Sequence, residues 1–217
     1  MPQFKALLSD LDGTLVNTEP LHADAWLAVL AKHDLYFDHH WFEQWIGTSD
    51  RFLAENVIEK HGLDVVVRDL QNDKQQIYHS YVAQANPIFP KLPPLLSTIQ
   101  GLVPIAVATN SGRKDAEAVF TATGIPTFIQ ASVTADDVDQ LKPAPDMYLL
   151  AAKLLDVSTT SSLVCEDSVA GLTGAKAAGC YAIAIAHGQD RAKFAAADEI
   201  VEEPHEAFMR VLELLRD

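Results

Sequence analysis

The chain has 217 residues, 30 acids against 16 bases and a formal net charge of -14. That length suffices for one sizeable core carrying an insertion, and the acidic balance argues against binding a phosphate backbone or an anionic membrane surface. Two cysteines, Cys165 and Cys180, give no disulfide framework, and the absence of a leader-like start and of any long apolar run makes a soluble, cytoplasmic protein the expectation.

Taken in order, the text begins with Phe4–Thr14 (FKALLSDLDGT), an apolar run that stops in two carboxylates, Asp10 and Asp12, and a glycine. It reads as a core strand opening into a loop, the end at which open α/β sheets bind ligands. Two acids one residue apart call for a compensating cation or for one of them to hold its proton. The spacing excludes an EF-hand, whose glycine stands sixth, whereas Gly13 is fourth from Asp10.

Helical text follows over Asn17–Lys32, His39–Ile46, Arg51–Lys60 and Val66–Ala85, with no second strand before Val103. Several helices between consecutive strands exceed any ordinary crossover and imply an inserted helical domain. The proline-rich segment Asn86–Pro94 reads as its stiff return linker.

Beyond it, strands and helices alternate. Helices are expected at Leu95–Gln100, Arg113–Thr123, Pro145–Leu155, Ala170–Ala178 and His205–Leu214. Strands are expected at Val103–Ala108, Thr127–Gln130, Ser162–Cys165 and, as the last central strand, Tyr181–Ile185. This alternation predicts an α/β fold, a Rossmann-like doubly wound parallel sheet, with an inserted all-α helical cap domain. The predicted boundaries are 1–16 with 89–217 for the core and 17–88 for the cap.

Parallel strands would gather at one sheet edge Asp10 and Asp12, then Thr109 with Asn110, then Glu166 and Asp167. Two like charges ~4 Å apart repel by roughly 4 kcal/mol at an effective dielectric of about 20, so this convergence needs positive charge. Oxygen ligands without His or Cys favour Mg²⁺. Lys142, in a loop stiffened by two prolines, could offset an anionic substrate and a nucleophilic carboxylate. Each of these residues alone has an ordinary structural explanation; their joint occurrence does not.

The four stretches Asp10-Leu-Asp12-Gly13-Thr14, Thr109-Asn110-Ser111, Lys142-Pro143-Ala144-Pro145-Asp146 and Glu166-Asp167-Ser168-Val169-Ala170-Gly171 resemble, in order, the motifs of the haloacid dehalogenase superfamily, most of all its beta-phosphoglucomutase-like phosphatases. The resemblance implies an aspartyl-phosphate enzyme with Asp10 as nucleophile and Asp12 as acid and base, its backbone carbonyl also on the metal. Thr109 and the amides of Asn110 and Ser111 would hold phosphate oxygens, and Lys142 would offset charge. Asp10, Asp12, Glu166 and Asp167 would form the Mg²⁺ site. In the cap, which closes over the active site in such enzymes, His22 and Trp26 resemble substrate-contacting residues, and Gly47 to Arg51 a specificity loop. Trp41 and Trp45 read instead as cap core. Two positions depart from the pattern: Ser9 before Asp10, and the missing glycine after Pro90.

The function expected is Mg²⁺-dependent hydrolysis of a small phosphorylated metabolite, a sugar phosphate by preference, by a monomer whose partner is a small-molecule phosphate ester. A hexose-phosphate mutase is the alternative. Aligned from Pro90, Tyr78 falls where the mutases carry a lysine, which favours the phosphatase. A dehalogenase is disfavoured because it has no leaving oxygen for Asp12 to protonate. A phospho-accepting signalling switch would not need Asp12 or a cap, and a non-catalytic binder would not need the full set of acids.

Overall fold

The structure, a computed structural model, describes residues 3–45 and 49–216. The chain divides into two compact units, Met1–Asn17 with Pro87–Asp217 and Thr18–Asn86.

The first unit starts with β1 (Ala6–Ser9), every residue of which is buried. A strand covered on both faces reads as a continuous apolar run, as this one does. Ser9 fits there because its hydroxyl donates to the carbonyl of Asp10 at 2.8 Å, so the departure at that position carries no unpaired group.

The second unit is helical: α1 (Glu19–Ala31), α2 (His39–Phe42), α3 (Asp50–His61) and α4 (Val67–Ala85). Its core gathers Trp26, Val29, Leu30, Phe42, Leu53 and Leu70, with Trp41 and Trp45 packed against it and their rings 5.8 Å apart. Burying one large apolar side chain contributes roughly 1.5–3 kcal/mol, which explains why these helices hold together as a body of their own. Ser49 caps α3 by accepting from the Phe52 amide, and Gly62, at φ 64°, ends it in the left-handed conformation.

The chain then returns through α5 (Leu92–Gln100), β2 (Ile105–Ala108), α6 (Arg113–Thr123), β3 (Ala131–Val133), α7 (Asp146–Leu154), β4 (Ser162–Glu166), α8 (Val169–Ala177), β5 (Tyr181–Ile185), β6 (Glu199–Val201) and α9 (Pro204–Leu214). All six strands are parallel, in the order β3-β2-β1-β4-β5-β6. The strand carrying Asp10 is central, its Ser9 level with Val107 on one side and Cys165 on the other. The strand order reverses between β1 and β4, and their carboxyl ends lie side by side there, where α/β sheets open a crevice.

Three sequence expectations change. The strand expected at Thr127–Gln130 is a 3-10 turn at Ile125–Thr127, and the strand itself lies at Ala131–Val133. Pro126 explains this: it has no amide hydrogen to give a ladder, and its fixed φ suits the first turn of a helix. The prolines placed in the linker likewise open α5, which begins at Leu92. The edge strand β6 follows Tyr181–Ile185, the strand expected to be last.

The two linker stretches run antiparallel within the first unit. The Asn17 amide donates to the Pro87 carbonyl at 2.9 Å, Val16 bridges Ile88, and the Phe89 amide donates to the Leu15 carbonyl at 3.1 Å. Among the described residues, no helix is long and apolar enough to cross a membrane.

Candidate active site

Asp10 follows β1 directly, and its amide continues the ladder by donating to the Cys165 carbonyl at 3.0 Å. Its position is thereby set by the middle of the sheet. Glu166 closes the neighbouring β4, and Asp167 follows it. The ligand oxygens of Asp10, Glu166 and Asp167 lie within 4.8 Å of one another. Lys142, itself buried, places Nζ 2.5 Å from Asp10 Oδ1 and 3.3 Å from Glu166 Oε1.

One ammonium does not balance these acids. Burial, then the charge of Glu166, pushes the Asp10 carboxyl up to about 8, against the pull of Lys142. Burial, followed by Asp10 and Glu166, likewise holds Asp167 well above the usual carboxylate range. Burial alone would discharge Lys142, but Asp10 and Glu166 outweigh it and keep the ammonium charged. For Asp10 to be ionised near neutrality, the cluster would need positive charge beyond Lys142.

The donor set fits a hard divalent cation. It is all oxygen, and Glu166 Oε2, though buried, has no hydrogen-bond partner among the described residues. Space is made for these carboxylates by two glycines. A Cβ on Gly171 would stand 1.7 Å from Glu166 Oε1, and one on Gly13, whose φ is 78°, would stand 1.9 Å from Asp167 Oδ2. Ser168 caps α8 by accepting from the Gly171 amide, and its hydroxyl donates to Glu166 Oε1 at 2.9 Å.

Asp12 is held from the end of β2. Its Oδ2 accepts from the Ser111 hydroxyl at 2.7 Å and from the Thr109 hydroxyl at 3.2 Å. Thr109 in turn accepts from the Ser111 amide at 3.0 Å, so in this arrangement two of the three residues expected to grip phosphate, Thr109 and Ser111, hold the Asp12 carboxylate instead. Asn110 is exposed, and its side chain spans the backbone of Lys142: Oδ1 accepts from the Lys142 amide at 3.0 Å, and Nδ2 donates to the Lys142 carbonyl at 3.4 Å. The structure thus brings together Asp10, Asp12, Thr109, Asn110, Ser111, Lys142, Glu166 and Asp167.

The expected cap residues fall in the helical unit. His22 and Trp26 of α1 join a lysine that sequence reasoning passed over, Lys74 of α4. Lys74 is only 1% exposed, with Nζ 2.7 Å from Asp50 Oδ2 and 2.7 Å from His22 Nδ1. The Trp26 indole donates to Asp50 Oδ1 at 2.8 Å, and the His22 ring stacks on Tyr78 at 4.0 Å. Burial opposes ionisation of Asp50, but the Lys74 charge and the hydrogen bonds of Lys74 and Trp26 hold its carboxyl below the usual range. The sequence did contain a signal for Lys74, which breaks a buried stripe of every fourth residue, Leu70, Lys74, Tyr78 and Val82. Arg51 is exposed and pairs with Glu55 at 2.7 Å. Gly47 lies outside the described residues.

The chain matches a family model described as haloacid dehalogenase-like hydrolase over residues 4–179. It is 33% identical over 181 residues to the fructose-1-phosphate phosphatase YqaB of Escherichia coli, covering 83% of this chain and 96% of that one. It is 27% identical over 193 residues to the beta-phosphoglucomutase of Bacillus subtilis, covering 86% and 85%. Among solved structures, a family IA HAD hydrolase of Entamoeba histolytica superposes with a TM-score of 0.83 at 22% identity, covering 99% of this chain and all of the other, a likeness of fold.

An all-parallel sheet whose central strand runs into Asp10, in a chain with a helical insertion between that strand and the next, is an α/β fold of the Rossmann-like class. The chain belongs to the haloacid dehalogenase-like hydrolases.

Proposed function

We propose that this hydrolase is a phosphoric monoester hydrolase that removes phosphate from a small phosphorylated metabolite, a sugar phosphate by preference, through an aspartyl-phosphate intermediate. The observation that carries the reading is the Asp10 carboxylate at the end of β1, 2.5 Å from Lys142 and within ligand reach of Glu166 and Asp167. Phosphoryl transfer asks mainly for alignment and for positive charge on the equatorial oxygens. Asp10 attacks phosphorus while Asp12 gives its proton to the departing alcohol oxygen. Asp12 then takes a proton from the water that cleaves the phosphoaspartate, regenerating Asp10 and releasing inorganic phosphate. Thr109 and Ser111, already bonded to Asp12, keep that carboxyl aimed at the leaving oxygen. Lys142, steadied by Asn110, offsets the charge of Asp10 and of the phosphoryl group.

Mg²⁺ is the proposed cofactor, held by Asp10, Glu166, Asp167 and the Asp12 backbone carbonyl; when bound it supplies charge to the phosphoryl oxygens. We assign substrate choice to the helical insertion, residues 17–88, with His22, Trp26, Gly47 and Arg51 as recognition residues, joined by Lys74. Similarity to a fructose-1-phosphate phosphatase and to a beta-phosphoglucomutase supports a sugar phosphate. A hexose-phosphate mutase is the second reading, and Lys74 favours it. Tyr78 stands where the mutases carry a lysine, yet Lys74 lies one turn earlier on the same helix.

The test is release of inorganic phosphate from a panel of small phosphate esters, with Mg²⁺ and with EDTA, by the native enzyme and by Asp10→Asn. Metal-dependent release that is lost in Asp10→Asn is expected. Conversion of beta-glucose 1-phosphate to glucose 6-phosphate, with no release from any ester, would replace the phosphatase reading by the mutase.

A further inference from the structure

His187 follows β5 and is a non-glycine residue with a positive φ of 50°. Few non-glycine residues adopt this conformation, histidine more readily than most, and it is kept where the surroundings favour it. Here they do. The amides of Ala186 and His187 donate to the carbonyls of Val201 and Glu202, at 2.9 and 3.1 Å, carrying the β5–β6 ladder past the strand ends. The imidazole, exposed to solvent, is thereby thrown across to the loop after β1. Its Nε2 lies 2.6 Å from the carbonyl oxygen of Gly13, and its ring stacks on Phe89, 6.1 Å between centroids at 24°. A carbonyl only accepts, so Nε2 carries the hydrogen and donates it.

Gly13 stands directly after Asp12, and Asp167 lies against the face of its Cα so closely that a methyl group would overlap the carboxylate. Its amide donates to the Val16 carbonyl at 2.8 Å, which closes the turn from inside. Its carbonyl is held from outside, by His187. With both polar atoms of Gly13 fixed, the Cα keeps one orientation, and so does the surface on which Asp167 rests.

We propose that His187 is a positioning residue for the divalent-cation site: by donating to the Gly13 carbonyl, it fixes the turn that carries Asp12 and supports Asp167. This deepens, and rests on, the metal-dependent reading above. Among the described residues the imidazole bonds to the Gly13 carbonyl and not to a proposed ligand; it acts through Gly13, and its contact with Phe89 sets the same ring against the neighbouring linker stretch. Partners that orient metal ligands typically alter metal affinity or activity by about 10- to 100-fold when removed.

The test is calorimetric titration of Mg²⁺ into the native protein and into His187→Ala, His187→Gly and His187→Gln, with urea unfolding of each. Glycine relieves the backbone conformation while removing the donor, and glutamine restores a donor of comparable reach. Mg²⁺ binding about 10-fold weaker in the alanine and glycine variants, with His187→Gly no less stable than native and His187→Gln recovering affinity, is the expected result. A His187→Gly variant that binds Mg²⁺ as tightly as the native protein overturns the proposal, as does a glutamine variant no tighter than alanine. Failure of the native protein itself to bind Mg²⁺ would instead overturn the metal-dependent reading on which the proposal stands.

Discussion

Stripped of divalent cations, this enzyme should lose stability as the pH rises towards neutrality, where most proteins are near their best. The cause is Asp10. Its carboxyl has an ordinary value of 3.8 and is pushed up to about 8 in the fold, first by burial and then by Glu166, with Lys142 opposing. Between those values the folded chain keeps a proton that the unfolded chain has released, so unfolding becomes easier with each step in pH. The stabilisation is fully present below 3.8 and lost as the pH climbs through about 8. Each pH unit in that window is worth up to about 1.4 kcal/mol, so moving from about pH 5 to about pH 8 costs up to roughly 4 kcal/mol. Asp167 shifts in the same direction for the same reasons, and the two protons belong to the cluster as a whole. Urea unfolding across this range in EDTA, set beside the same series in excess Mg²⁺ and for Asp10→Asn, reads the effect directly. The native protein in EDTA should show a falling midpoint, and both comparisons a flatter one. If the EDTA series held level with that of Asp10→Asn, the assignment of an overcrowded, under-compensated acid cluster would be wrong.

Gly171→Ala should gain up to about 1 kcal/mol of helix propensity, yet its Cβ, 1.7 Å from Glu166 Oε1, displaces that carboxylate. Calorimetry should therefore find Mg²⁺ affinity reduced by about 10-fold or more with no matching fall in thermal midpoint; unchanged affinity would remove Glu166 from the site. Lys142→Met leaves Asp10 and Glu166 facing each other without their ammonium. Turnover by phosphate release should fall by about 10²- to 10³-fold, and a loss under tenfold would demote the lysine to a structural role. In the helical unit, Lys74→Met uncouples Asp50, whose side chain is 42% exposed. That exposure lowers the expected cost below the buried-pair range, to about 1–3 kcal/mol in urea unfolding. Adding Asp50→Asn should return part of it, and strict additivity of the two changes would show that the pair is not coupled.

The groups at the strand ends were legible because each is announced twice, once by an apolar run and once by the polar residues that stop it. Asp10, Thr109 and Glu166 all have this form, and the parallel order needed to join them follows from the alternation of strands and helices. Lys142 has no such run before it and was found from the two prolines around it and the charge it must balance. What escaped reading has a different physical origin. Residues Glu199–Val201 form a three-residue edge strand whose first side chain is tied to Arg210 and Tyr181, so neither length nor apolarity marks it. His187 owes its place to a left-handed backbone conformation that non-glycine residues adopt uncommonly, and no local pattern predicts where its ring then points. Lys74 was readable in principle, as a charge inside a stripe of buried positions. Counting back from Pro90 lands on Tyr78 instead.

The antiparallel pairing of Val16 and Asn17 with Ile88 and Pro87 has an evolutionary consequence. The chain leaves the sheet-bearing unit and re-enters it at almost the same point, so everything from Thr18 to Asn86 hangs from a doorway one hydrogen-bonded pair wide. Excising that insert would leave two ends that a tight turn could splice, with every strand still in register. An ancestor could therefore exchange the insert wholesale, as a cartridge, without disturbing a single residue at the strand ends that carry Asp10 and Glu166.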